Sequence, residues 1–293
     1  MRPRDPGMTR TLDLPDGAIA FDITGDGPPL LLLHGFPQNR AMWRPIAAEL
    51  ARTYTVVAPD LRGYGDSFRP SRMEEMSFRA MGRDMIRLMA ALGFDRFHLA
   101  GHDRGARTAH RVALDAPGAV ATLAVMDIVP THHLLSTITA DVARAYYHWF
   151  FLAQPDPFPE TLIGHDPDTY FERCLLGFGK AELSDFAPDL LAEYRRTWRD
   201  PASIRAMCHD YRAAIDVDMP HDAADLDRTV DCPALVLYGR DGAMARAMDV
   251  PATWAPRLSD MRHAALPGGH FFPDQHPEET AAALAAFLAA HPL

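Results

Sequence analysis

The sequence predicts an α/β fold, with a mostly parallel sheet, helices on both faces and an inserted helical cap. Short apolar segments alternate with segments of helical spacing up to residue 126 and again after residue 233, an alternation typical of parallel sheets flanked by helices. Between these stretches, residues 130–225 are rich in aromatic residues and prolines and contain no clear strand. We therefore predict a core of residues 1–129 and 226–293 and a cap of residues 130–225.

The individual elements follow from apolar periodicity. Leu30 to His34 is a continuous apolar run, as expected of a strand buried on both faces of a sheet. Met81, Met85 and Leu88 recur at helical spacing. The other predicted strands cover residues 9–14, 18–24, 55–58, 94–100, 120–126, 234–238 and 263–266. The predicted helices of the core cover residues 41–52, 76–92, 104–115, 245–254 and 277–290.

Composition excludes several classes of function. The formal net charge is −10 and no basic stripe is present, so we expect no nucleic-acid partner. The apolar run at Leu30 to Leu33 is far shorter than a membrane span requires, so we expect no membrane partner. The polar start, Met1 to Arg10, predicts no signal peptide, and residues 1–7 are expected to form a disordered leader.

The cysteines predict a reducing environment. Their number is three and their positions, Cys174, Cys208 and Cys232, are scattered, which suits neither a disulfide framework nor a metal site. We therefore expect a cytoplasmic protein that binds neither a metal nor a cofactor.

A candidate nucleophile lies in Gly101-His102-Asp103-Arg104-Gly105, between a predicted strand and a predicted helix. Small residues flanking such a sharp turn push the central side chain, here Asp103, into the cleft. A carboxylate at this position attacks a saturated carbon and forms an ester, which an activated water must then hydrolyse. The alternative is that Asp103 only caps the following helix, because Asp is a favoured N-cap residue.

Two other loops supply the partners that this chemistry needs. His34-Gly35-Phe36-Pro37 follows a strand, and the backbone N–H groups of Phe36 and Arg104 are expected to form an oxyanion hole. His270 lies in the glycine-rich segment after the last predicted strand, where it can act as the base.

The acid that orients His270 has two candidates. Asp127 ends the strand before the cap, and Asp241 ends the strand after it. Spacing does not decide between them, because both follow strands whose ends meet at the cleft.

The sequence resembles a known family at several places. These are residues 101–107 (GHDRGAR), 126–131 (MDIVPT), 147–151 (YHWFF) and 210–213 (DYRA), and the resemblance to the fluoroacetate (haloacetate) dehalogenases extends over nearly the whole chain. It implies the α/β-hydrolase fold and a homodimer.

The resemblance also implies roles for individual residues. It makes Asp127 the partner of His270. It makes Arg104 and Arg107 the clamp for a substrate carboxylate, which suits the planar fork of arginine. The residues that it implies around the departing halide are His148, Trp149 and Tyr211. One departure is Phe178, which stands near the place where the family often has a cap tryptophan and which affects the expected substrate size.

These residues predict a hydrolytic dehalogenase that acts on a small anionic 2-haloacid, with fluoroacetate-type substrates favoured. An epoxide hydrolase with the same machinery is the nearest alternative, although a neutral epoxide would leave the two arginines without a partner. A ligand-binding protein without catalytic activity is the alternative from another class.

Overall fold

One eight-stranded sheet forms the core of the protein. The computed structural model describes residues 9–177 and 181–293. The strands are β1 (Arg10–Leu14), β2 (Gly17–Thr24), β3 (Pro29–Leu33), β4 (Thr55–Pro59), β5 (Phe97–His102), β6 (Val120–Met126), β7 (Ala234–Gly239) and β8 (Met261–Leu266). Their order in the sheet is β1-β2-β4-β3-β5-β6-β7-β8. The pairs from β4 to β8 are parallel, whereas β1 with β2 and β2 with β4 are antiparallel.

Helices connect the parallel strands, as the alternation predicted. The core helices are α1 (Arg44–Leu50), α2 (Phe78–Ala91), α3 (Arg104–Asp115) and, after the cap, α12 (Ala243–Ala247), α13 (Val250–Trp254), α14 (Phe272–Gln275) and α15 (Pro277–Ala289). Helix α3 packs on β5, β6 and α2, and α1 packs on α15. The central strands β3 to β6 are apolar and almost wholly buried, because helices and cap shield them from water.

In the described part of the segment between β6 and β7, helices joined by loops are the main elements, and no strand of the sheet lies there. Its helices are α4 (Thr131–Ser136), α5 (Ala140–Ala145), α6 (Tyr147–Leu152), α7 (Phe158–His165), α8 (Pro167–Leu175), α9 (Pro188–Trp198), α10 (Pro201–Ala213) and α11 (Met219–Ala224). A π-helical turn, Ala214–Asp218, joins α10 to α11. The segment leaves the sheet at the carboxyl end of β6, the edge where α/β folds bind ligands.

Three element predictions differ from the structure for local reasons. The helix predicted at 41–52 is a 3₁₀ turn, Arg40–Trp43, followed by α1, which has a proline in its first turn. The helix predicted at 245–254 is two short helices, because Asp249 caps a second helix that also begins with a proline. Residues 94–96 form an irregular bend before β5 rather than part of the strand.

Some predictions fall where the structure gives no description. The proposed leader, residues 1–7, and Phe178 lie outside the described residues. Within the described part of the chain, no helix combines the length and the apolar character that crossing a bilayer requires.

Candidate active site

The turn at Asp103 joins β5 to α3 in a strained conformation. Asp103 has φ 48° and ψ −116°, which a side chain rarely adopts unless its surroundings enforce it. A Cβ atom on Gly101 would lie 2.4 Å from the carbonyl oxygen of Gly105. A Cβ atom on Gly105 would lie 2.3 Å from the carbonyl oxygen of Leu33. The two glycines therefore allow β5, α3 and β3 to approach closely enough to form this turn.

The Asp103 carboxylate does not cap α3, so the N-cap alternative is wrong. Its Oδ1 atom instead accepts a hydrogen bond from the backbone N–H of Phe36 over 3.0 Å. Burial raises the pKa of Asp103, but the charges of His270, Arg107 and Arg104 outweigh burial and lower it to about 2. The buried carboxylate is therefore ionised at neutral pH.

His270 lies between two carboxylates. Its Nδ1–H donates to Oδ2 of Asp127 over 2.7 Å, and its Nε2 lies 3.8 Å from Oδ2 of Asp103. The other oxygen of Asp127 accepts from the N–H of Gly239 over 2.8 Å, which fixes the carboxylate. Burial lowers the pKa of His270, but the hydrogen bond and the charge of Asp127 more than compensate and raise it above its ordinary value.

A small cavity opens above Asp103. The empty space is about 300 Å³ when its open mouth is counted, but the enclosed part is only about 10 Å³, which is room for about one water molecule. Its walls come from the core and from the cap, and they comprise Phe36, Asp103, Tyr146, His148, Cys174, His270 and Phe271. So tight a space above Asp103 disfavours large substrates.

Comparison with known proteins assigns the family. The model of the alpha/beta hydrolase fold matches residues 28–277. The chain is 52% identical over 282 residues to a fluoroacetate dehalogenase from Burkholderia sp, a match that covers 95% of this chain and 93% of the relative. This chain belongs to the fluoroacetate dehalogenases of the alpha/beta hydrolase family. The predicted fold class and the family resemblance are thereby confirmed.

This dehalogenase-family hydrolase is also similar to a more distant epoxide hydrolase and to a protein of known structure. A soluble epoxide hydrolase from Corynebacterium sp. (strain C12) is 31% identical, over 88% of this chain and 89% of the relative. A solved alpha/beta hydrolase from Nostoc sp PCC 7120 is 48% identical with a TM-score of 0.94, covering 96% of this chain and 97% of its own. The likeness therefore includes the cap as well as the core.

The two arginines of α3 are buried but differ in their partners. Arg104 donates through Nε to Oδ2 of Asp210 over 2.9 Å, and its Nη2 contacts Oδ1 and the backbone carbonyl of the same residue. Its Nη1 has no hydrogen-bond partner among the described residues. Asp210 therefore occupies one edge of Arg104 and leaves Nη1 for a ligand.

Among the described residues, the hydrogen bonds of Arg107 go to uncharged oxygens, and its guanidinium lies over the ring of Trp149. Its Nη1 donates to the carbonyl of Val129 over 3.0 Å and to the hydroxyl of Thr131 over 2.9 Å. Its Nε has no partner within the described part of the chain. Burial and, to a smaller degree, Arg104 lower the pKa of Arg107, as expected for a buried cation without a carboxylate bonded to it. Arg107 therefore carries the charge that an anionic ligand would neutralise.

The three predicted halide contacts lie together in the cap. The ring of Tyr211 lies 5.6 Å from the ring of His148 and 5.2 Å from that of Trp149. The indole N–H of Trp149 and the hydroxyl of Tyr211 are fully buried, and no described residue accepts from them. The guanidinium of Arg104 lies over both of these aromatic rings. The cap thus places two buried donors beside the arginines.

The structure gives roles to two residues that lie in the quoted motifs but had no role assigned from the sequence. Asp210 neutralises Arg104 and accepts from the hydroxyl of Tyr64 over 2.6 Å. His102 donates from Nε2 to the backbone carbonyl of His270 over 2.8 Å and so steadies the loop of the base. Asp210 stands directly before Tyr211 in the sequence, and the need of a buried arginine for a counter-charge was the signal that could have identified it.

Two more residues near the site, Asp127 and Trp198, have clear partners in the structure. Asp127, rather than Asp241, contributes the carboxylate that contacts His270. Trp198, a tryptophan of α9 in the same predicted cap as Phe178, stacks on Phe171 and donates its indole N–H to Asp168 over 2.8 Å. Trp198 therefore packs within the cap.

Proposed function

We propose that this hydrolase converts a small 2-haloacid, fluoroacetate or another haloacetate, to the 2-hydroxyacid and halide through an ester on Asp103. The observation that carries the proposal is the ionised, buried Asp103 carboxylate, held by the Phe36 N–H beside two buried arginines and His270. The 52% identical fluoroacetate dehalogenase supports the same reaction.

The first step is a displacement at the carbon that carries the halogen. The substrate carboxylate binds Nη1 of Arg104 and the guanidinium of Arg107, which orients the α-carbon toward Oδ2 of Asp103. Oδ2 attacks this carbon and the halide leaves toward His148, Trp149 and Tyr211. Fluoride is strongly hydrated in water, so buried donors must replace that hydration as its charge develops.

The second step releases the product. His270 accepts a proton from a water that attacks the Asp103 carboxyl carbon, while Asp127 stabilises the imidazolium that forms. The negative charge develops on Oδ1, which already accepts from the N–H of Phe36. The N–H of Arg104, the first residue of α3, is the second donor of this oxyanion hole. The tetrahedral species collapses to the Asp103 carboxylate and the hydroxyacid.

The remaining expectations belong to the same proposal. We divide the chain into a core of residues 1–129 and 226–293 and a cap of residues 130–225, because the described elements between β6 and β7 are helices and no strand of the sheet lies there. The three free cysteines fit a cytoplasmic enzyme. A homodimer, as the resemblance implies, is expected on gel filtration coupled to light scattering.

The test is halide release from a panel of fluoro-, chloro- and bromoacetate and the matching 2-halopropanoates. The parent enzyme should release stoichiometric halide and hydroxyacid, and Asp103→Asn should be inactive. A single turnover in ¹⁸O-labelled water should place the label in the side chain of Asp103, because water attacks that carboxyl carbon. Halide release with no label at position 103 would disprove the ester.

A trapping variant gives an independent check. His270→Asn lacks the base, so the ester should accumulate and appear in the intact-protein mass spectrum as an adduct of one substrate minus halide. The double variant Asp103→Asn/His270→Asn is the matched control and should form no adduct. Saturable haloacetate binding without adduct or halide would instead indicate a ligand-binding protein without catalytic activity.

A further inference from the structure

The cap holds a buried phenol, that of Tyr211, which the proposed dehalogenation uses only as a hydrogen-bond donor. The hydroxyl of Tyr211 has no acceptor among the described residues, and its ring lies 5.0 Å from the ring of Phe36, whose N–H binds Asp103. A departing halide is a weak base and needs only hydrogen bonds. A phenol can do more than that, because it can also transfer its proton to a leaving group.

The leaving group that needs such a proton is an alkoxide, which is a far stronger base than a halide. Burial raises the pKa of Tyr211 well above its ordinary value, so the phenol stays protonated until a strong base develops beside it. The most compact substrate that produces an alkoxide at the α-carbon is a three-membered cyclic ether. Such a ring adds little volume to a haloacetate, so a site that accepts a haloacetate has nearly the space that this ring needs.

The arginines restrict which epoxides can bind. Arg107 is a buried cation whose hydrogen bonds go to neutral oxygens, and Nη1 of Arg104 has no partner in the described chain. A neutral epoxide would leave both groups desolvated and unpaired, which is strongly unfavourable. An epoxide that carries a carboxylate on the ring carbon would satisfy them just as a haloacetate does.

We infer that this enzyme also hydrolyses small 2,3-epoxycarboxylates, of which glycidate is the simplest, with Tyr211 as the acid. The inference rests on the proposed function, because it uses the same carboxylate clamp, nucleophile and base. The second activity requires no further site, since the epoxide oxygen occupies the position of the departing halide.

The steps balance without an additional reactant. Oδ2 of Asp103 forms a bond to C2 of glycidate, the C2–O bond breaks, and the oxygen, still bonded to C3, takes the proton of Tyr211. Water activated by His270 then attacks the Asp103 carboxyl carbon and releases 2,3-dihydroxypropanoate. Hydrolysis of the ester to a carboxylate and an alcohol frees one proton, which restores the phenol of Tyr211.

The test compares two reactions of the same enzyme preparation. Purified enzyme is incubated with each enantiomer of glycidate, with the neutral glycidamide and, in parallel, with chloroacetate. We expect dihydroxypropanoate from at least one enantiomer of glycidate and at least about 100-fold less product from glycidamide, since one charged pair contributes that much. His270→Asn should gain an adduct with the mass of one intact glycidate.

Two tyrosine variants separate proton transfer from simple hydrogen bonding. Tyr211→Phe should reduce glycidate opening by about 10²- to 10⁴-fold, the usual contribution of a general acid. It should reduce chloroacetate turnover by only about tenfold, the effect of one lost donor. Tyr170→Phe, which removes the hydroxyl of another cap tyrosine, is the matched control and should leave both rates unchanged.

Three results would overturn the inference. The first is chloroacetate turnover with no dihydroxypropanoate from either enantiomer, which would leave the dehalogenase intact. The second is equal hydrolysis of glycidate and glycidamide, and the third is an equal loss of both activities in Tyr211→Phe. Failure of chloroacetate turnover itself would instead contradict the proposed function.

Discussion

At the scale of single residues, the sequence offers two acids that could orient His270, and the structure places Asp127 at hydrogen-bond distance from its Nδ1. Its Nδ1–H donates to Asp127, whose second oxygen is held by the N–H of Gly239. This hydrogen bond and the charge of Asp127 outweigh burial and raise the pKa of His270. The imidazole of His270 must be neutral to accept a proton from water. Activity should therefore rise with pH as the imidazolium form of His270 loses its proton.

The pH profile of kcat for haloacetate hydrolysis therefore distinguishes Asp127 from Asp241. The parent profile should rise through a pKa above the ordinary histidine value of about 6.5 and then level off. Asp127→Asn should move this limb to lower pH and lower the plateau by about 10⁴-fold, because the base loses its charged partner. Asp241→Asn is the matched control, and the rising part of its pH profile should coincide with that of the parent. A shift in Asp241→Asn but not in Asp127→Asn would show that Asp241 is the acid that orients His270.

The two arginines allow a second prediction at the residue scale. Arg104→Gln leaves the buried Asp210 carboxylate without its cation and should destabilise the fold by about 3–5 kcal/mol. Arg107→Gln breaks only bonds to neutral oxygens, so its free energy of unfolding should change by much less. It should nevertheless raise KM for haloacetate by about 10- to 100-fold, because a charge-assisted contact is lost.

Urea unfolding and steady-state kinetics on both variants check this contrast. The matched substrate is haloacetamide, which lacks the charge, and its KM should respond less to Arg107→Gln than that of haloacetate. Equal destabilisation by the two substitutions would show that Asp210 is not the counter-charge that distinguishes them.

At the scale of secondary-structure elements, the site depends on how closely β3, β5 and α3 approach. Gly105 lies at the start of α3, where a Cβ atom would contact the carbonyl oxygen of Leu33 at 2.3 Å. The backbone atom cannot rotate away, so a larger residue must displace the helix from β3. Such a displacement also moves Asp103 away from the N–H of Phe36, which binds it from the loop after β3.

Gly105→Ala should therefore affect both stability and rate. We expect a loss of about 1–3 kcal/mol in the free energy of unfolding and a loss of kcat of about 10²-fold from misplacement of the nucleophile. Gly118→Ala is the matched control, because a Cβ atom there meets nothing within 4 Å. Thermal unfolding and halide release measure the two effects, and a fully active Gly105→Ala enzyme would contradict the close-approach argument.

At the scale of the whole molecule, polar contacts join the cap to the core beside the base. The hydroxyl of Tyr194 on α9 donates to Oδ1 of Asp274 over 3.1 Å, and Gln38 donates to Oδ2 over 2.8 Å. Asp274 lies four residues after His270. Burial raises the pKa of Asp274 to about 7, although the bonds from Gln38 and Tyr194 oppose this shift. The cap contact therefore contains a carboxyl group that titrates near neutral pH.

This pKa gives a signed prediction for stability. The folded protein holds a proton on Asp274 up to about pH 7, whereas the unfolded chain loses it near pH 4. The stabilising contribution of this proton is complete below about pH 4 and is lost as pH rises through 7. Asp274→Asn does not titrate, so its stability relative to the parent should improve between about pH 5 and about pH 8.

Urea unfolding of parent and variant at both pH values tests the prediction. The exposed Asp13→Asn is the matched control and should follow the parent at both. A difference between parent and Asp274→Asn that stays constant with pH would show that Asp274 does not titrate in this range in the folded protein.

The sequence by itself determined the sheet-and-helix class, and it indicated a helical segment after β6 and the candidate residues Asp103, Phe36 and His270. These follow from local signals, namely apolar periodicity and the glycines that a sharp strand-to-helix turn requires. The family resemblance added the arginines and the cap residues. Apolar spacing did not predict the helix breaks at prolines or the bend before β5, because these features do not depend on which residues are apolar.

Only the tertiary structure decided which charged groups meet. Asp127 and Asp241 are equivalent by spacing, and the fold brings the first to His270. Arg104 and Arg107 look alike on one helix turn, and Asp210, from the distant α10, makes them different. Such pairings join residues more than a hundred positions apart, and their energies depend on burial and distance. Burial and distance depend on how the elements pack, so the local sequence does not predict either of them.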